Sequence, residues 1–521
     1  MTTDEEEPAT AASGRRMAVL AVAAAALAAP LAARAATPAE TCVQMAALKL
    51  PTTRITSADY VTPDPFWPLP PSPFDAFAGP NPGVSGAAFC RVAGVIEKEI
   101  AFEVWLPAEW NGRFQGVGNG ALTGALNYPA MASALAAGFA TASTDTGHHT
   151  EAGGFDSSWI PGHPQRVTDF GYRGHHLMAV TAKKIVAAFY HQPAKYAYFN
   201  GCSSGGWQGL TEAQRFPEDY DGIIAGAPAI NFVKLQTRPL TLARLSQAHP
   251  DGDLTAAQKK AIPAAAIARC DEADAVKDGV INDPQACDFD PSDLACKAGG
   301  SGGDCLTPAQ VARAQAMHGR LRSPGGLSLY PGFAYGTQLD FSFSEADDAA
   351  TRVPAVLLMA ADLKIPPESF DADRDVPRLE QAVGAILDST NPDLKAFRDR
   401  GGKLIVYHGW ADPLLSPYSS IDYYQSVATQ MGPKPIDGFY RLFLAPGMAH
   451  CRGGPGPDKF DAVAAIQDWV EKGQAPAVMV AAHLTDGKVD RTRPLCPYPQ
   501  VAKYNGSGST DDAANFTCKA P

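Results

Sequence analysis

The amino-acid sequence predicts an α/β fold built around a largely parallel β-sheet. Short apolar segments alternate along the chain with segments whose apolar residues recur at helical spacing. A Gly-Cys-Ser-Ser-Gly segment at 201–205 lies between such a strand and such a helix. An aspartate and a histidine follow two later strands. Because parallel strands are joined through helices, this alternation indicates a parallel sheet with polar residues at its strand ends.

The composition is that of a large globular protein rich in loops. Of 521 residues, 45% are hydrophobic and 19% are charged, against about 25% charged in an average protein. Glycine (48 residues) and proline (44 residues) are both above their usual share. The formal net charge of −12 argues against a broadly basic surface, so we expect no nucleic-acid partner.

Residues 1–35 have the features of a signal peptide. Arginines at 15–16 precede an apolar, alanine-rich stretch at 17–33, and small residues follow it as a cleavage site. A transmembrane anchor is the alternative, but 17 residues interrupted by Pro30 fall short of the ~20 that span a bilayer. We therefore expect export, with a mature protein that is secreted or periplasmic and does not associate with the membrane.

The first part of the core is predicted over residues 36–230. Residues 37–90 are rich in proline and poor in strand signals, which indicates a wrapping segment. The pattern becomes β-like over residues 95–105. Residues 138–145 then read as a small buried strand that ends in polar residues.

Apolar residues at helical spacing predict a helix over residues 174–190. A short aromatic strand at 196–199 follows, then the glycine-rich segment and a second helix that ends near residue 216. Residues 221–228 form another buried strand. Strand, turn, helix and strand in this order are typical of parallel α/β proteins.

The alternation stops over residues 231–398, which are rich in loops and contain four cysteines. It resumes with predicted strands at 403–408 and 439–444. We therefore predict that residues 399–521 complete the core and that 231–398 form a domain inserted into it.

The segment at 201–205 matches the Gly-x-Ser-x-Gly pattern of a nucleophile elbow. Small residues are needed there because the turn is strained and the serine hydroxyl must stand clear of the sheet. The pattern alone is weak in a chain with 48 glycines, and a simple glycine turn is the alternative. Its place between a strand and a helix favours the elbow. We therefore predict Ser203 as the nucleophile and the backbone N–H of Ser204 as an oxyanion-hole donor.

A nucleophilic serine needs a histidine as its base and a carboxylate that orients the histidine. On an α/β-hydrolase core these residues follow the serine in the order acid, then histidine. Asp412 follows one late strand and His450 follows the next, 38 residues further on. An Asp-Pro turn and a polar loop histidine are the plain alternatives, and His483 is the second candidate for the base. We predict Ser203, Asp412 and His450 as a catalytic triad.

Ten cysteines in an exported chain indicate disulfides, and no Cys-x-x-Cys pair points to a zinc or thioredoxin-type motif. Proximity along the sequence suggests the pairs Cys270–Cys287, Cys296–Cys305 and Cys496–Cys518.

Cys42, Cys90, Cys202 and Cys451 are then left to pair among themselves. Cys202 precedes the predicted nucleophile and Cys451 follows the predicted base. If serine and histidine lie within hydrogen-bond reach, their neighbours fall near the ~4.4–6.8 Å Cα separation of a disulfide. We therefore predict a Cys202–Cys451 bond that joins the two catalytic loops, which leaves Cys42 with Cys90.

Cys202-Ser203, Asp412 and His450-Cys451 together resemble the CS-D-HC signature of the tannase and feruloyl esterase family, which includes a terephthalate monoester hydrolase. The resemblance implies an α/β-hydrolase core with an inserted lid domain, here 231–398, and aromatic carboxylic esters as substrates. It also implies a second oxyanion donor from a glycine-rich loop.

The glycine-rich loop of this chain is residues 118–121, Gly-Asn-Gly-Ala. Gly120 is the best match for the second oxyanion donor that the resemblance implies. Gly118 and Ala121 are the alternatives.

The inserted region also contains a run of aspartates. Three carboxylates at spacings of three and four suit a hard cation, but the order is not that of an EF-hand, and a solvated acidic loop is an equal alternative. The resemblance implies a structural Ca²⁺ that orders the lid. Its ligands would be the side chains of Asp271, Asp274 and Asp278 and the backbone oxygens of Val276 and Val280.

We therefore expect a secreted serine esterase that hydrolyses aromatic carboxylic esters of the feruloyl or galloyl type, with a small aromatic ester as its partner. Hydrolysis of terephthalate or phthalate monoesters is the alternative within the family. A serine peptidase and a non-catalytic binding protein on the same fold are alternatives of other classes.

Two sets of residues bear on the substrate. A monoester with a free carboxylate would need an arginine in the pocket, for which Arg352, Arg374 and Arg378 are candidates, unless each is a surface charge. Four apolar residues flank the catalytic positions and either line an acyl pocket or pack in the core: Trp207, Trp410, Leu414 and Leu415.

Overall fold

The computed structural model describes most of the chain. The described residues are 36–62, 66–71, 83–150, 154–297, 303, 305–339, 354–432 and 436–521. The predicted signal peptide at 1–35 and Arg352 lie outside them. Among the described residues, no helix is both long and apolar enough to cross a membrane.

The strands of the structure belong to one large sheet and three two-stranded ribbons. In chain order they are β1 (Thr53–Val61), β2 (Phe89–Ile96), β3 (Ile100–Pro107), β4 (Arg113–Val117), β5 (Ala140–Thr144), β6 (Tyr196–Cys202), β7 (Gly222–Gly226), β8 (Leu321–Arg322), β9 (Ser328–Tyr330), β10 (Lys403–Gly409), β11 (Tyr440–Ala445), β12 (Met479–Thr485), β13 (Lys488–Leu495), β14 (Val501–Tyr504) and β15 (Phe516–Lys519).

The large sheet has nine strands in the order β1-β2-β3-β5-β4-β6-β7-β10-β11. Its first four strands pair antiparallel, and every pairing from β5 to β11 is parallel. The central strands are apolar and buried on both faces, as expected where helices cover a parallel sheet; Ile223, Ile224, Leu404, Ile405 and Val406 are examples. The predicted α/β fold is confirmed.

The helices lie mainly in the crossovers between these strands. They are α1 (Pro38–Met45), α2 (Tyr128–Ala136), α3 (Pro164–Thr168), α4 (Gly174–Tyr190), α5 (Ser204–Arg215), α6 (Phe232–Ala248), α7 (Ala256–Cys270), α8 (Pro308–His318), α9 (Ala355–Met359), α10 (Ala372–Leu379), α11 (Ala385–Leu387), α12 (Lys395–Asp399), α13 (Pro417–Met431) and α14 (Ala462–Lys472). The helix predicted at 174–190 is confirmed with the same bounds. Its buried residues recur at helical spacing along one face.

The N-terminal edge of the sheet corrects the prediction of a strand-poor segment at 37–90. Strand β1 pairs antiparallel with β2 over its whole length, and α1 packs beside both. The β-like region at 95–105 is also two strands, because the chain turns at Glu97, where φ is 54°. Strand β1 is an edge strand with mostly half-exposed side chains, so its sequence lacks the apolar pattern of the central strands.

Between β7 and β10, none of the described residues joins the large sheet. This region instead carries helices, short 3₁₀ turns and the β8–β9 ribbon. Its buried side chains, such as Val356, Val376 and Leu379, belong to an apolar cluster that also includes Trp207 and Phe170 of the core. The region is therefore packed onto the core through a shared apolar interior.

All ten cysteines form disulfides, with the five pairings that were predicted. The bonds are Cys42–Cys90, Cys202–Cys451, Cys270–Cys287, Cys296–Cys305 and Cys496–Cys518.

Candidate active site

Ser203 lies at the tip of a sharp turn between β6 and α5. Its backbone has φ 64° and ψ −123°, a left-handed conformation that residues other than glycine rarely adopt. The Ser203 N–H donates to the Gly226 carbonyl at 2.9 Å, and the Trp207 N–H donates to the Ser203 carbonyl at 3.0 Å. The turn therefore has the strand–serine–helix form of a nucleophile elbow.

The glycines of this turn are required by close approaches of the backbone. A Cβ on Gly201 would lie 2.6 Å from the carbonyl group of Gly205. A Cβ on Gly205 would lie 2.8 Å from the carbonyl oxygen of Asn119. Both distances are shorter than real contacts of a Cβ, so only glycine lets β6, α5 and the 118–121 loop meet here.

Asp412 and His450 meet at the ends of two neighbouring parallel strands, β10 and β11. His450 Nδ1 lies 2.7 Å from Asp412 Oδ2, and the Asp412 side chain is fully buried. If Nδ1 carries the hydrogen, it donates to the carboxylate and leaves Nε2 as the free proton acceptor. The pair therefore has the arrangement of an acid that orients a base.

The Asp412 carboxylate is held by several donors. Its Oδ1 accepts hydrogen bonds from the backbone N–H groups of Leu414 (2.8 Å) and Leu415 (2.9 Å). Burial alone would raise the pKa of Asp412, but the charge of His450 and the hydrogen bonds of His408 and His450 outweigh it and hold the pKa well below its usual range. The carboxylate is therefore ionised at neutral pH.

The disulfide Cys202–Cys451 connects the elbow to the loop that carries His450. The Cα atoms of the two cysteines are 6.0 Å apart. Because Cys202 and Cys451 are the direct neighbours of Ser203 and His450, this bond limits how far serine and histidine can separate.

Ser203 and His450 line one cavity of about 560 Å³. Its walls are mainly apolar; the larger apolar side chains are Leu122, Phe155, Phe232, Leu235, Leu414 and Leu415. Gln236 and Arg452 are among the polar residues on its wall. The size and lining suit a small, largely apolar ligand with a few polar groups.

The glycine-rich loop at 118–121 borders the same cavity beside Ser203 and Ser204. The Gln208 side chain on α5 accepts from the Asn119 N–H at 2.9 Å and donates to the Asn119 side chain at 3.1 Å. The Ser204 hydroxyl donates to the Ala121 carbonyl at 2.7 Å. The loop that carries Gly120 is thus bound directly to the helix that follows Ser203.

Other predicted residues lie away from the cavity. His483, the second candidate for the base, is on the β12–β13 ribbon and pairs with Asp490 at 2.7 Å. Arg374 and Arg378 both pair with the buried carboxylate of Asp375 and do not line the cavity. Neither arginine therefore supports recognition of a substrate carboxylate.

The four flanking apolar residues divide into two pairs. Leu414 and Leu415 line the cavity. Trp207 is completely buried and packs against Phe170 and Phe232, while Trp410 packs against Tyr418. The two tryptophans are therefore core residues.

The acidic loop predicted to bind calcium folds back on Asp271. The Asp271 carboxylate accepts from the backbone N–H groups of Asp278, Gly279 and Val280 at 3.0–3.3 Å. Asp278 Oδ2 pairs with Arg491 and Arg493 at 2.9 and 2.7 Å.

The donor chemistry of this loop fits a hard cation, since carboxylate and backbone oxygens are the ligands calcium prefers. In this structure, however, the carboxylate oxygens of Asp271, Asp274 and Asp278 do not all lie within 4.8 Å of one another. Binding would therefore require the loop to tighten.

Among the described residues, the group that does lie that close is His176, Glu212 and Asp219. Two of its members, His176 and Asp219, are already paired with each other. Asp219 accepts from His176 at 2.6 Å and from Lys183 at 3.1 Å. Burial and the charge of Asp219 raise the pKa of Glu212 well above its usual range, and Glu212 Oε1 lies 2.6 Å from Nδ1 of the buried His175. The three residues therefore belong to a network of buried polar contacts that joins α4, α5 and the loop after α5.

Two residues that border the site were missed by the sequence analysis. His408 contacts Asp412 and is completely buried, and Gln208 holds the 118–121 loop. The sequence signal for His408 was its position at the end of β10, four residues before Asp412. Nothing in the sequence distinguishes Gln208 from an ordinary helical glutamine.

The chain is similar to known proteins in both sequence and structure. The sequence profile described as tannase and feruloyl esterase matches residues 84–355 and 349–519. An uncharacterized esterase of Xanthomonas campestris pv. campestris is 38% identical over 92% of this chain and 91% of its own length. The mono(2-hydroxyethyl) terephthalate hydrolase of Piscinibacter sakaiensis is 36% identical over 83% of this chain and 85% of its own.

Solved structures agree with this assignment. Feruloyl esterase B from Aspergillus oryzae superposes with a TM-score of 0.83 at 31% identity, covering 93% of this chain and 100% of its own. Tannin acyl hydrolase from Aspergillus niger has the same fold, with a TM-score of 0.76 at 22% identity over 93% of this chain and 97% of its own. The chain therefore belongs to the tannase and feruloyl esterase family of carboxylic ester hydrolases.

Proposed function

We propose that this protein hydrolyses aromatic carboxylic esters of the feruloyl or galloyl type through an acyl-enzyme on Ser203. One observation carries the proposal: Ser203 on its elbow and His450, which is hydrogen-bonded to Asp412, line the same largely apolar cavity. The names of the relatives, feruloyl esterases and a tannin acyl hydrolase among them, support the class of acyl group.

In this mechanism the Ser203 hydroxyl attacks the ester carbonyl and His450 Nε2 accepts its proton. Asp412 holds the imidazole and stabilises the imidazolium that forms. His450 then protonates the alcohol as it leaves, which yields the acyl-enzyme. In the second half His450 removes a proton from water, the hydroxide attacks the acyl carbonyl, and the proton returns to Ser203.

Negative charge develops on the carbonyl oxygen in both halves of the reaction. The backbone N–H of Ser204, at the N-terminus of α5, and that of Gly120 are the proposed donors. The contacts of Gln208 with Asn119 support this role, because a donor loop held in place before the reaction needs no reorganisation during it.

The cavity wall supports an aromatic acyl group. Phe155 and Phe232 offer flat apolar surface in the lining, and Leu235, Leu414 and Leu415 add further apolar surface. Of these, Phe232 and Leu235 come from α6 in the region at 231–398. We propose that this region is the lid of the active site, since it supplies part of the wall.

A terephthalate or phthalate monoester is the second candidate substrate. The relative from Piscinibacter sakaiensis is a mono(2-hydroxyethyl) terephthalate hydrolase, and Arg452 lies on the cavity wall of this chain next to Cys451. A guanidinium there offers a cation to a substrate carboxylate. Arg452→Gln would then raise KM for a terephthalate monoester far more than for methyl ferulate.

The test uses a serine-directed fluorophosphonate and a panel of methyl ferulate, methyl gallate, a terephthalate monoester and a peptide. We expect labelling and ester hydrolysis in the wild type and loss of both in Ser203→Ala. Ser426→Ala is the control, because that hydroxyl is exposed and only donates to the Asp422 carbonyl one turn earlier in the same helix. Absence of both labelling and turnover would support a binding protein, and hydrolysis of the peptide alone would overturn the esterase proposal.

We also propose that the loop at 271–280 holds a structural Ca²⁺. The carboxylates of Asp271, Asp274 and Asp278 and the carbonyl oxygens of Val276 and Val280 would hold it. A hard cation there would offset the repulsion between carboxylates and stiffen the loop that Cys270–Cys287 closes.

Calcium removal tests this proposal. Calcium that binds only the folded state stabilises it by about 2.7 kcal/mol at a concentration 100 times Kd. We expect EGTA to lower Tm and added Ca²⁺ to restore it, and Asp271→Asn to abolish the response. Asp362→Asn, an exposed acid in the same region, is the control. An unchanged Tm in EGTA, with no calcium in the purified protein by elemental analysis, would exclude the site.

Export of the chain is the remaining proposal. Five disulfides, one of them beside the catalytic residues, support folding in an oxidising compartment. N-terminal sequencing of protein from the periplasm or medium of the producing cell should begin near residue 36. Recovery of the full-length chain from the cytoplasm alone would contradict it.

A further inference from the structure

His408 is a second histidine on the proposed catalytic carboxylate. It lies at the end of β10, four residues before Asp412, and its side chain is completely buried. His408 Nε2 is 3.2 Å from Asp412 Oδ2, the same oxygen that accepts from His450. The mechanism above assigns no part to this residue.

The surroundings of His408 determine which nitrogen carries hydrogen. Nε2 faces two acceptors, the Asp412 carboxylate and the Leu415 carbonyl at 3.0 Å, so it must carry a hydrogen. Nδ1 lies 2.8 Å from Oγ of Ser420, which is also fully buried. A hydroxyl can donate to a neutral ring there, and it therefore holds the ring in the tautomer with hydrogen on Nε2.

Each oxygen of the Asp412 carboxylate thus faces two nitrogen atoms. Oδ1 accepts from the Leu414 and Leu415 N–H groups, and Oδ2 lies 2.7 Å from His450 Nδ1 and 3.2 Å from His408 Nε2, whose single hydrogen is shared with the Leu415 carbonyl. Without His408, Oδ2 would have His450 alone. Oδ1 would still be held by the two backbone N–H groups, but Oδ2 would lose a neighbouring donor and would be a stronger acceptor toward the imidazolium of His450.

We propose that His408 is a positioning residue that fixes the orientation of Asp412 and limits its basicity, and thereby sets how readily His450 gives up its proton. This inference depends on the proposed triad. The other titratable group that faces the carboxylate is Tyr330, whose hydroxyl accepts from the Ser416 N–H at 2.9 Å, with Arg238 over its ring at 5.6 Å.

The test compares two substitutions of similar size. His408→Gln keeps an N–H donor that can reach Asp412, and His408→Leu removes it. We expect His408→Leu to lower kcat roughly 10- to 100-fold with little change in KM, and to move the acid limb of the pH profile of kcat/KM to higher pH by about one unit. His408→Gln should recover most of kcat and the original pH profile.

Rates are taken per active site, counted by fluorophosphonate labelling, so that loss of folded protein does not imitate loss of catalysis. His318→Leu is the control, because His318 is also buried but lies in the inserted region. It should lower Tm without moving the pH profile.

The proposal is wrong if His408→Leu and His408→Gln lose the same activity, or if His408→Leu keeps the wild-type kcat and acid limb in the labelled fraction. Retained esterase activity in Ser203→Ala would instead overturn the triad itself. The two failures are therefore distinguishable.

Discussion

Ser203 adopts a backbone conformation that costs about 1–3 kcal/mol in residues other than glycine. Such strain persists only where the neighbouring structure enforces it. Here the enforcement is backbone against backbone: Gly201 and Gly205 touch, and Gly205 touches the 118–121 loop. The position of Ser203 is thus set by the absence of side chains on the glycines around it. The residues that surround Asp412 act in the opposite way, by supplying donors.

A methyl group at Gly205 should disturb the site. Its Cβ would lie 2.8 Å from the Asn119 carbonyl oxygen, which is backbone and cannot swing aside. We expect Gly205→Ala to cost about 1–3 kcal/mol in the free energy of unfolding and to lower kcat by moving the 118–121 loop. Gly209→Ala, on the same helix, meets only the side chains of Ile223 and Phe199 and should keep kcat. Urea denaturation measures the free energy of unfolding of each variant, and steady-state kinetics measure kcat. Equal kcat in both variants would contradict the expectation.

His148 predicts a pH dependence of stability. It is buried, lies 2.9 Å from the Leu122 carbonyl through Nε2 and stacks on Trp159. Burial lowers the pKa of His148 from 6.5 to about 4. Between these values the unfolded chain binds a proton that the folded chain does not, so the folded state loses stability as the pH falls through this range, by about 3 kcal/mol.

We therefore expect the unfolding free energy of the wild type, relative to His148→Gln, to fall by about 3 kcal/mol between pH 7 and pH 4. The measurement is urea denaturation of both proteins at the two pH values. A difference between them that does not change with pH would show that His148 is protonated equally in the folded and unfolded states.

At the scale of elements, the site joins segments that lie far apart in the chain. Ser203 follows β6, Asp412 follows β10 and His450 follows β11, and parallel pairing brings the carboxyl ends of these strands to one edge. The Cys202–Cys451 bond then connects two of these strand ends covalently across 249 residues of sequence.

Removing the Cys202–Cys451 bond should lower the catalytic rate of the folded protein more than it lowers the fraction of protein that folds. A displacement of about 1 Å between serine and histidine can cost about 100-fold in rate. We expect Cys202→Ala with Cys451→Ala to lower kcat by about that factor in the folded fraction. Cys296→Ala with Cys305→Ala, which opens a distant loop of the inserted region, should leave kcat unchanged. Unchanged kcat after loss of Cys202–Cys451 would mean that the strands alone hold the geometry.

At the scale of the whole molecule, residues Pro38–Pro521 form one compact unit by their contacts. The inserted region shares a buried apolar cluster with Trp207 and Phe170. The region is thus packed into the same apolar interior as the core, and we expect the two to unfold together. Because α6 of this region also lines the cavity, its packing and the shape of the active site are coupled.

A large-to-small substitution in this cluster tests the coupling. Leu379 on α10 is completely buried, and Leu379→Ala should cost about 2–5 kcal/mol. We expect loss of esterase activity, of circular dichroism and of tryptophan fluorescence to follow one transition, shifted to lower denaturant. Leu484→Ala, on the exposed face of the β12–β13 ribbon, should leave the transition unchanged. Activity lost well before the other two signals would indicate that the inserted region unfolds by itself.

Several features could be predicted from the sequence because they depend on local pattern. The period of apolar residues predicted α4 to its end residues, and the buried parallel strands were found because both their faces are apolar. The elbow and the two polar strand ends were recognised by their place after strands. Strand β1 was missed, because a half-exposed edge strand has no such pattern.

What the sequence alone determined is the order of strands and helices, the residue types at the strand ends and the adjacency of two cysteines to two candidate catalytic residues. Only the tertiary structure decided which side chains share the cavity. It separated Leu414 and Leu415 from Trp207 and Trp410, and it brought His408 to Asp412. The physical reason is that helical and strand periods reveal which residues are buried, whereas contacts between them depend on how distant strands pair and how closely their backbones pack.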